Sequence, residues 1–169
     1  EFTDEKLLAI AKTAAECGIE MLVMDDGWFG KRNDGTTSLG DWFVNEKIAC
    51  GLKSLVEQVN ALGMKFGIWF EPEAISPVSE LYKAHPEWCL QVEGRGKSLA
   101  RNQYLLDMSR EDVRDYLFNV MSDVLNSANI EYIKWDFNRN VTEAGSVLLP
   151  IERRQEICHR YVLGLYDLL

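Results

Sequence analysis

Ile130-Glu131-Tyr132-Ile133-Lys134-Trp135-Asp136 is the stretch that sets the architecture expected of this chain. Its first six residues form a short run rich in β-branched and aromatic side chains, closed by an acid, and they predict a strand over 130–135. An earlier stretch repeats the pattern. Ile19-Glu20-Met21-Leu22-Val23-Met24 precedes Asp25 as Ile130-Glu131 leads to Asp136, each acid six residues after its isoleucine. So dense an apolar run suits a parallel strand covered on both faces. A third run, Met64-Lys65-Phe66-Gly67-Ile68-Trp69-Phe70, ends in Glu71-Pro72-Glu73.

Helical periodicity fills the intervals between these strands. Leu7, Leu8, Ile10, Ala11, Ala14 and Ala15 follow Thr3 at helical spacing, with Asp4 and Glu5 where a helix N-terminus favours anions, and the pattern stops near Cys17-Gly18. Leu52, Leu55, Val56, Val59 and Leu62 make a second stripe closed by Gly63. Ser76-Pro77 has the form of an N-cap with proline at the first helical position, opening a short helix that His85-Pro86 ends. Residues 88–108, around Gly94-Arg95-Gly96, form an irregular excursion or a small hairpin. Ser109 is the expected cap of a helix carrying Val113, Leu117, Val120, Met121, Val124 and Leu125, and a last helix is expected over 151–168.

Strands and helices in strict alternation imply right-handed βαβ units and a parallel sheet, either doubly wound or part of a (β/α) barrel. Both architectures keep their sites at the C-terminal ends of strands, where Asp25 and Asp136 fall.

A chain of 169 residues with 47% hydrophobic and 27% charged residues wants one core and one domain. The net charge of −9 argues against a surface that tracks nucleic-acid phosphates. No apolar run approaches the roughly 20 residues of a bilayer span, and the start has no basic region followed by an apolar one. Cys17, Cys50, Cys89 and Cys158 are scattered, and with only His85 and His159 they assemble no structural zinc pattern. Free thiols, mostly buried, in a reducing, cytoplasmic compartment are expected.

Asp25, Asp26, Glu71, Glu73 and Asp136 would converge on one rim if the sheet curls, accompanied by Trp28, Phe29, Trp69, Phe70 and Trp135. Flat apolar faces beside hydrogen-bond acceptors suit a pyranose, whose C–H face packs on an aromatic ring while its hydroxyls donate to carboxylates. The plainer alternative for a lone acid closing a strand is a turn former or helix cap, and for a strand Trp, the core. Adjacent Asp25 and Asp26 are harder to dismiss, since two like charges beside a buried strand cost stability unless something binds them. Lys134 and Asp136, two positions apart, leave the same face of an extended strand, so the cation should keep Asp136 ionised. That pair is either a structural ion pair or an activated carboxylate nucleophile. Arg101-Asn102-Gln103 is either a solvated loop or a donor cluster for sugar hydroxyls.

The runs Asp25-Asp26-Gly27-Trp28-Phe29-Gly30, Gly67-Ile68-Trp69-Phe70-Glu71-Pro72-Glu73, Arg101-Asn102-Gln103-Tyr104-Leu105-Leu106-Asp107 and Lys134-Trp135-Asp136-Phe137-Asn138-Arg139 resemble, in order and spacing, the bacterial α-galactosidases of glycoside hydrolase family 36. Raffinose synthases and α-N-acetylgalactosaminidases share parts of the pattern. The resemblance implies a (β/α)8 catalytic domain and retaining double-displacement hydrolysis of terminal α-galactosides of the melibiose and raffinose type. It makes Asp136 the nucleophile and assigns sugar binding to Asp25, Asp26, Trp69, Arg101, Lys134 and Asn138. It implies no metal or organic cofactor and full-length members that commonly assemble as homo-oligomers, while charge and hydropathy leave no nucleic-acid or membrane partner expected. Departures are the missing proline before Gly51-Leu52 and Ala100 in place of the glycine usual before Arg-Asn-Gln.

A complete barrel needs about 250 residues. The expectation is therefore an α/β chain forming a partial (β/α)8 barrel, about half of one, with strands two to four and their flanking helices, residues 1–169 being part of a single catalytic domain. The acid/base is expected to lie downstream of Leu169, leaving the segment alone inactive. The other readings are a non-catalytic sugar-binding or scaffold remnant of the same barrel, or a related α-N-acetylgalactosaminidase or raffinose synthase.

Overall fold

The computed structural model describes residues 2–169, so of the expected domain only Glu1 lies outside them. Helix α1 (Asp4–Glu16) begins as expected, with Thr3 extended at φ −128° and its hydroxyl accepting from the Lys6 N–H. Strand β1 (Met21–Met24), helix α2 (Leu52–Asn60) and strand β2 (Lys65–Phe70) follow. Helix α2 buries Leu52, Leu55, Val56 and Val59, most of the stripe expected from its periodicity.

A long crossover then carries β3 (Ala74–Ile75), α3 (Glu80–Ala84), a 3₁₀ turn at Pro86–Trp88, β4 (Tyr104–Leu105) and α4 (Glu111–Asn126) before strand β5 (Tyr132–Trp135). The last segment opens as a 3₁₀ helix over Ile151–Glu156, a stretch expected to be α-helical, and continues as α5 (Ile157–Leu168).

The main sheet runs β1-β2-β5, with both pairings parallel and in chain order. Gly67 sits at its centre, paired with Val23 on one side and Tyr132 on the other. A Cβ there would stand 3.0 Å from the Tyr132 ring and 3.1 Å from Val23 Cγ2, so glycine lets the flanking side chains close over the middle strand. Gly164 does the same for helix packing: a Cβ would come within 1.8 Å of the Met108 carbonyl oxygen, so α5 lies directly on the backbone that leads into α4.

Several local expectations are corrected. Ser76 does not cap a helix; it is fully buried, its hydroxyl accepts from the Leu39 N–H at 3.0 Å, and Ser79 caps α3 through the Tyr82 N–H at 3.1 Å. Nor does Ser109 cap α4, because its hydroxyl donates to Asp107 Oδ1 at 2.6 Å and Arg110 takes the cap position. Residues 88–108 are a hairpin only at their ends, where Cys89 bridges Leu106 and Leu90 N–H donates to the Leu105 carbonyl at 2.8 Å. Within this stretch β4 pairs antiparallel with β3, which lies before it in the chain, and a tight turn forms at 100–103. The cysteines are free, but Cys17, Cys50 and Cys158 are exposed; only Cys89 is buried, and burial pushes its thiol up to about 12.

Candidate active site

The C-terminal ends of β1 and β2 are tied together by aromatic packing beneath them. Trp28, Phe29, Trp42, Trp69 and Phe70 form one buried cluster, with Phe29 stacked parallel on Trp69 at 5.9 Å and the Trp28 indole donating to the Trp69 carbonyl at 2.8 Å. Trp28, Phe29 and Phe70, expected to face a sugar, are therefore core. Their edge and stacked contacts each add about 0.5–1.5 kcal/mol beyond area burial, which fixes the loop after β1 against the end of β2.

Above this floor lies an open cleft of about 430 Å³, lined by Asp25, Asp26, Arg32, Gly35, Trp69, Glu71, Arg101, Asn102, Gln103, Asp136 and Asn138. That volume falls within the roughly 300–1,000 Å³ of small-molecule sites. Six of the seven residues expected in the site, Asp25, Asp26, Trp69, Arg101, Asp136 and Asn138, line it together. Lys134 is not part of the lining and joins it through Asp25, with Nζ 3.0 Å from Oδ2.

The register explains why Lys134 meets Asp25 and not Asp136. Trp69 pairs with Lys134, and one step beyond the Met24–Ile68 pair brings Asp25 to the same row. Side chains in one row of a parallel sheet leave the same face. Asp136 lies two residues further along, half-buried, and its backbone N–H donates to the Phe70 carbonyl at 2.9 Å. The Trp69 indole donates to Asp136 Oδ2 at 3.1 Å. Hydrogen bonding from Asn138 and then from Trp69 holds the Asp136 carboxyl below the usual carboxylate range, with the Lys134 and Arg101 charges adding to the effect. The expectation that a cation keeps Asp136 ionised is corrected in its cause: hydrogen bonds come first, and Lys134 acts from the side of Asp25. That pairing in turn raises Lys134.

Asp26, the neighbouring acid, has its own cation. Arg32 Nε donates to Oδ1 at 2.9 Å and Nη2 to Oδ2 at 2.8 Å, a bidentate clamp from a side chain that is only 7% exposed. The adjacent like charges are thus each compensated from within the chain. Arg32 escaped the sequence reading because it lies in an aperiodic Gly-rich loop; the available signal was the unmatched acid pair itself.

Arg101 and Asn102 reach the cleft from a two-residue turn. Ala100 and Gln103 bond each other through both N–H groups, at 3.3 and 3.1 Å, and the two central residues have φ of 54° and 60°. Both central residues left-handed is the type I′ geometry usually built from Asn and Gly, so Arg101 occupies a strained position at the cleft edge. Arg101 and Asn102, both exposed, thus stand on the lining of the cleft.

Glu71 lines the cleft but is 2% exposed; Asn138 donates to its Oε2 at 3.4 Å, and burial raises it. Glu73 is not on the rim, which corrects the sequence expectation. It is fully buried, its Oε2 accepts from the Trp135 indole at 2.7 Å, and burial pushes it up to about 8.

A cleft with one ionised, hydrogen-bonded carboxylate, two further acids each clamped by a cation, and an aromatic floor can accept hydroxyl donors and present an anionic nucleophile to them. The Melibiase family model matches residues 1–169. The chain is similar to α-galactosidase AgaA of Geobacillus stearothermophilus, 57% identical over 100% of the chain and 23% of the relative. It is likewise similar to α-galactosidase 1 of Pediococcus pentosaceus, at 51% identity over 100% of the chain and 23% of that protein. Among solved structures it matches the GH36 α-galactosidase AgaB from Geobacillus stearothermophilus with a TM-score of 0.97 and 59% identity, covering 99% of the chain and 23% of AgaB. A variant of AgaA in complex with raffinose matches with a TM-score of 0.97 and 57% identity, over 99% of the chain and 24% of that one. The chain therefore spans about a quarter of the length of these relatives.

Proposed function

The chain belongs to the melibiase family, and on that premise we propose that it is the nucleophile-bearing part of a retaining α-galactosidase, with Asp136 attacking the anomeric carbon. The observation that carries this reading is Asp136 itself: a strand-end carboxylate, held ionised by Asn138 and Trp69, opening into the same cleft as Asp25, Asp26 and Arg101. An AgaA variant bound to raffinose is among the similar structures, so terminal α-galactosyl groups are the substrate class.

In the first step a carboxylate oxygen of Asp136 bonds to C1 as the C1–O bond to the aglycone breaks, and the leaving oxygen takes a proton from an acid. In the second, water gives its proton to that same group and its oxygen replaces Asp136 on C1, releasing galactose with its configuration retained. Asp25, Asp26, Arg101 and Asn138 bind the sugar hydroxyls, Trp69 offers its ring edge, and Lys134 orients Asp25. The proton donor comes from outside residues 1–169. Glu71, a further carboxyl of the cleft lining, supports this by being almost closed from solvent, which keeps it from meeting a leaving group. Residues 1–169 alone are then inactive.

The same reading makes the sheet strands two to four of a (β/α)8 barrel, about half of it, within one catalytic domain. Three parallel strands adjacent in chain order support it, as do the exposed apolar residues of the edge strand β5, Tyr132 at 48% and Ile133 at 38%, and of helix α5, Leu163 at 52% and Tyr166 at 68%. Strands of a closed parallel sheet are covered on both faces.

Proton NMR of melibiose or raffinose turnover by the full-length protein tests the proposal. The first galactose released should be the α-anomer. β-Galactose first would refute double displacement, and no release from any α-galactoside would sink the whole assignment.

A further inference from the structure

Behind the cleft, on the side away from solvent, lies a group that the proposed reaction does not use. Glu73 follows Glu71-Pro72 at the end of β2, is fully buried, and has a single side-chain partner, the Trp135 indole at 2.7 Å from Oε2. Its other oxygen, Oε1, is buried with no hydrogen-bond partner. Trp135 is the last residue of β5 and directly precedes Asp136. The Glu73 backbone is also fastened, its carbonyl accepting from the Leu106 N–H at 2.8 Å.

We propose that Glu73 is a positioning residue for Asp136: its carboxyl, with the proton on Oε1, grips the Trp135 indole and so sets the end of β5 from which the nucleophile projects.

Protonation is what makes this grip affordable in so dry a place. The groups facing Glu73 are Glu71 from its own segment and Asp136 from the end of β5, both acids, and Tyr161 from α5. Asp107 and Arg139 flank the Tyr161 hydroxyl, and Arg139 is tied through Nη2 to the Ser98 carbonyl at 2.6 Å and the Thr142 hydroxyl at 3.0 Å. An anion at Glu73 thus has two like charges beside it and only neutral donors, its own backbone N–H and the Trp135 indole, to hold it, a combination that burial penalises. It is relieved by letting water in, which withdraws Trp135 and with it the end of β5. Consistent with this, burial pushes Glu73 up to about 8, within reach of ordinary assay conditions.

The inference rests on the nucleophile assigned to Asp136, and its test separates the two. The full-length protein is labelled with 5-fluorotryptophan, and the Trp135 ¹⁹F signal, assigned by its loss in Trp135→Phe, is followed between pH 6 and 10. The signal should titrate with a midpoint near 8 and stay flat in Glu73→Gln, whose amide oxygen still accepts the indole N–H. In parallel, kcat for an aryl α-galactoside should fall along an alkaline limb in the wild type. Glu73→Gln should lose that limb, and Glu73→Leu, with no acceptor, should lose kcat at least tenfold while KM changes little. A Trp135 signal that does not titrate, or an alkaline limb identical in Glu73→Gln, would overturn the inference while leaving the nucleophile in place. A protein that turns over no α-galactoside would refute the proposed function, and the ¹⁹F titration would still decide whether Glu73 controls Trp135.

Discussion

Replacing Trp69 with Phe isolates one hydrogen bond to the nucleophile. The Trp69 indole N–H donates to Asp136 Oδ2 at 3.1 Å, while its ring stacks on Phe29 at 5.9 Å with an interplanar angle of 5°. Phenylalanine keeps the stack and removes the donor. A hydrogen bond to a charged group contributes about 1.5–3 kcal/mol, which corresponds to roughly a 10- to 150-fold loss in kcat/KM if the bond is intact in the transition state. A second signature follows from the titration of Asp136. Its carboxyl is held low partly by this bond, so the ionised form persists until pH falls through that lowered value. Losing the donor raises the value, and the acid limb of the kcat/KM profile moves to higher pH. The measurement is kcat/KM against pH for the full-length Trp69→Phe protein with an aryl α-galactoside, alongside urea unfolding to confirm that the smaller ring leaves a folded protein. A folded variant with kcat/KM within twofold of wild type and an unmoved acid limb would refute the reasoning.

Three further outcomes are expected. Arg32→Ala leaves Asp26 without its clamp; it should raise KM for galactosides and lower stability by about 1–3 kcal/mol, measured by steady-state kinetics and urea unfolding. Glu73 has a native value of about 8 against 4.5 for the free side chain, so its contribution to stability is full below pH 4.5 and declines as pH rises to about 8. The stability advantage of Glu73→Gln over wild type should therefore grow by a few kcal/mol between pH 5 and 8, at about 1.4 kcal/mol per unit, in denaturant titrations at each pH. Gly164→Ala drives a methyl into the Met108 carbonyl, 1.8 Å away and part of the backbone, and should destabilise by about 1–3 kcal/mol or more in the same titrations.

The parts of the fold that were legible in the amino-acid sequence are those decided by near neighbours in the chain. Strands β1, β2 and β5 were visible as dense apolar runs, and α2 and α4 as stripes, because core burial selects those periods directly. The expected caps fail where another partner claims the hydroxyl, one far along the chain and one two residues away. Ser76 is engaged by Leu39, 37 residues away in sequence, and Ser109 by the Asp107 carboxylate. In the site, the register of the sheet was the missing quantity: two-residue spacing suggested Lys134 with Asp136, whereas the row across β1, β2 and β5 gives Lys134 to Asp25. Glu71 and Glu73 are alike as strand-end acids, yet one lines the cleft and the other is buried behind it. No local pattern separates them, since the difference is made by Trp135 and α5 arriving from far along the chain. Arg101 was legible through the family resemblance and not by spacing, because its turn uses left-handed residues without the glycine that usually signals one.

The most direct test of the central claim is to trap the covalent intermediate. The full-length protein, treated with an activated 2-fluoro-galactoside and mapped by mass spectrometry of its peptides, should carry the fluorogalactosyl group on Asp136. A label on any other residue, or continued turnover with no label at all, would contradict Asp136 as the nucleophile.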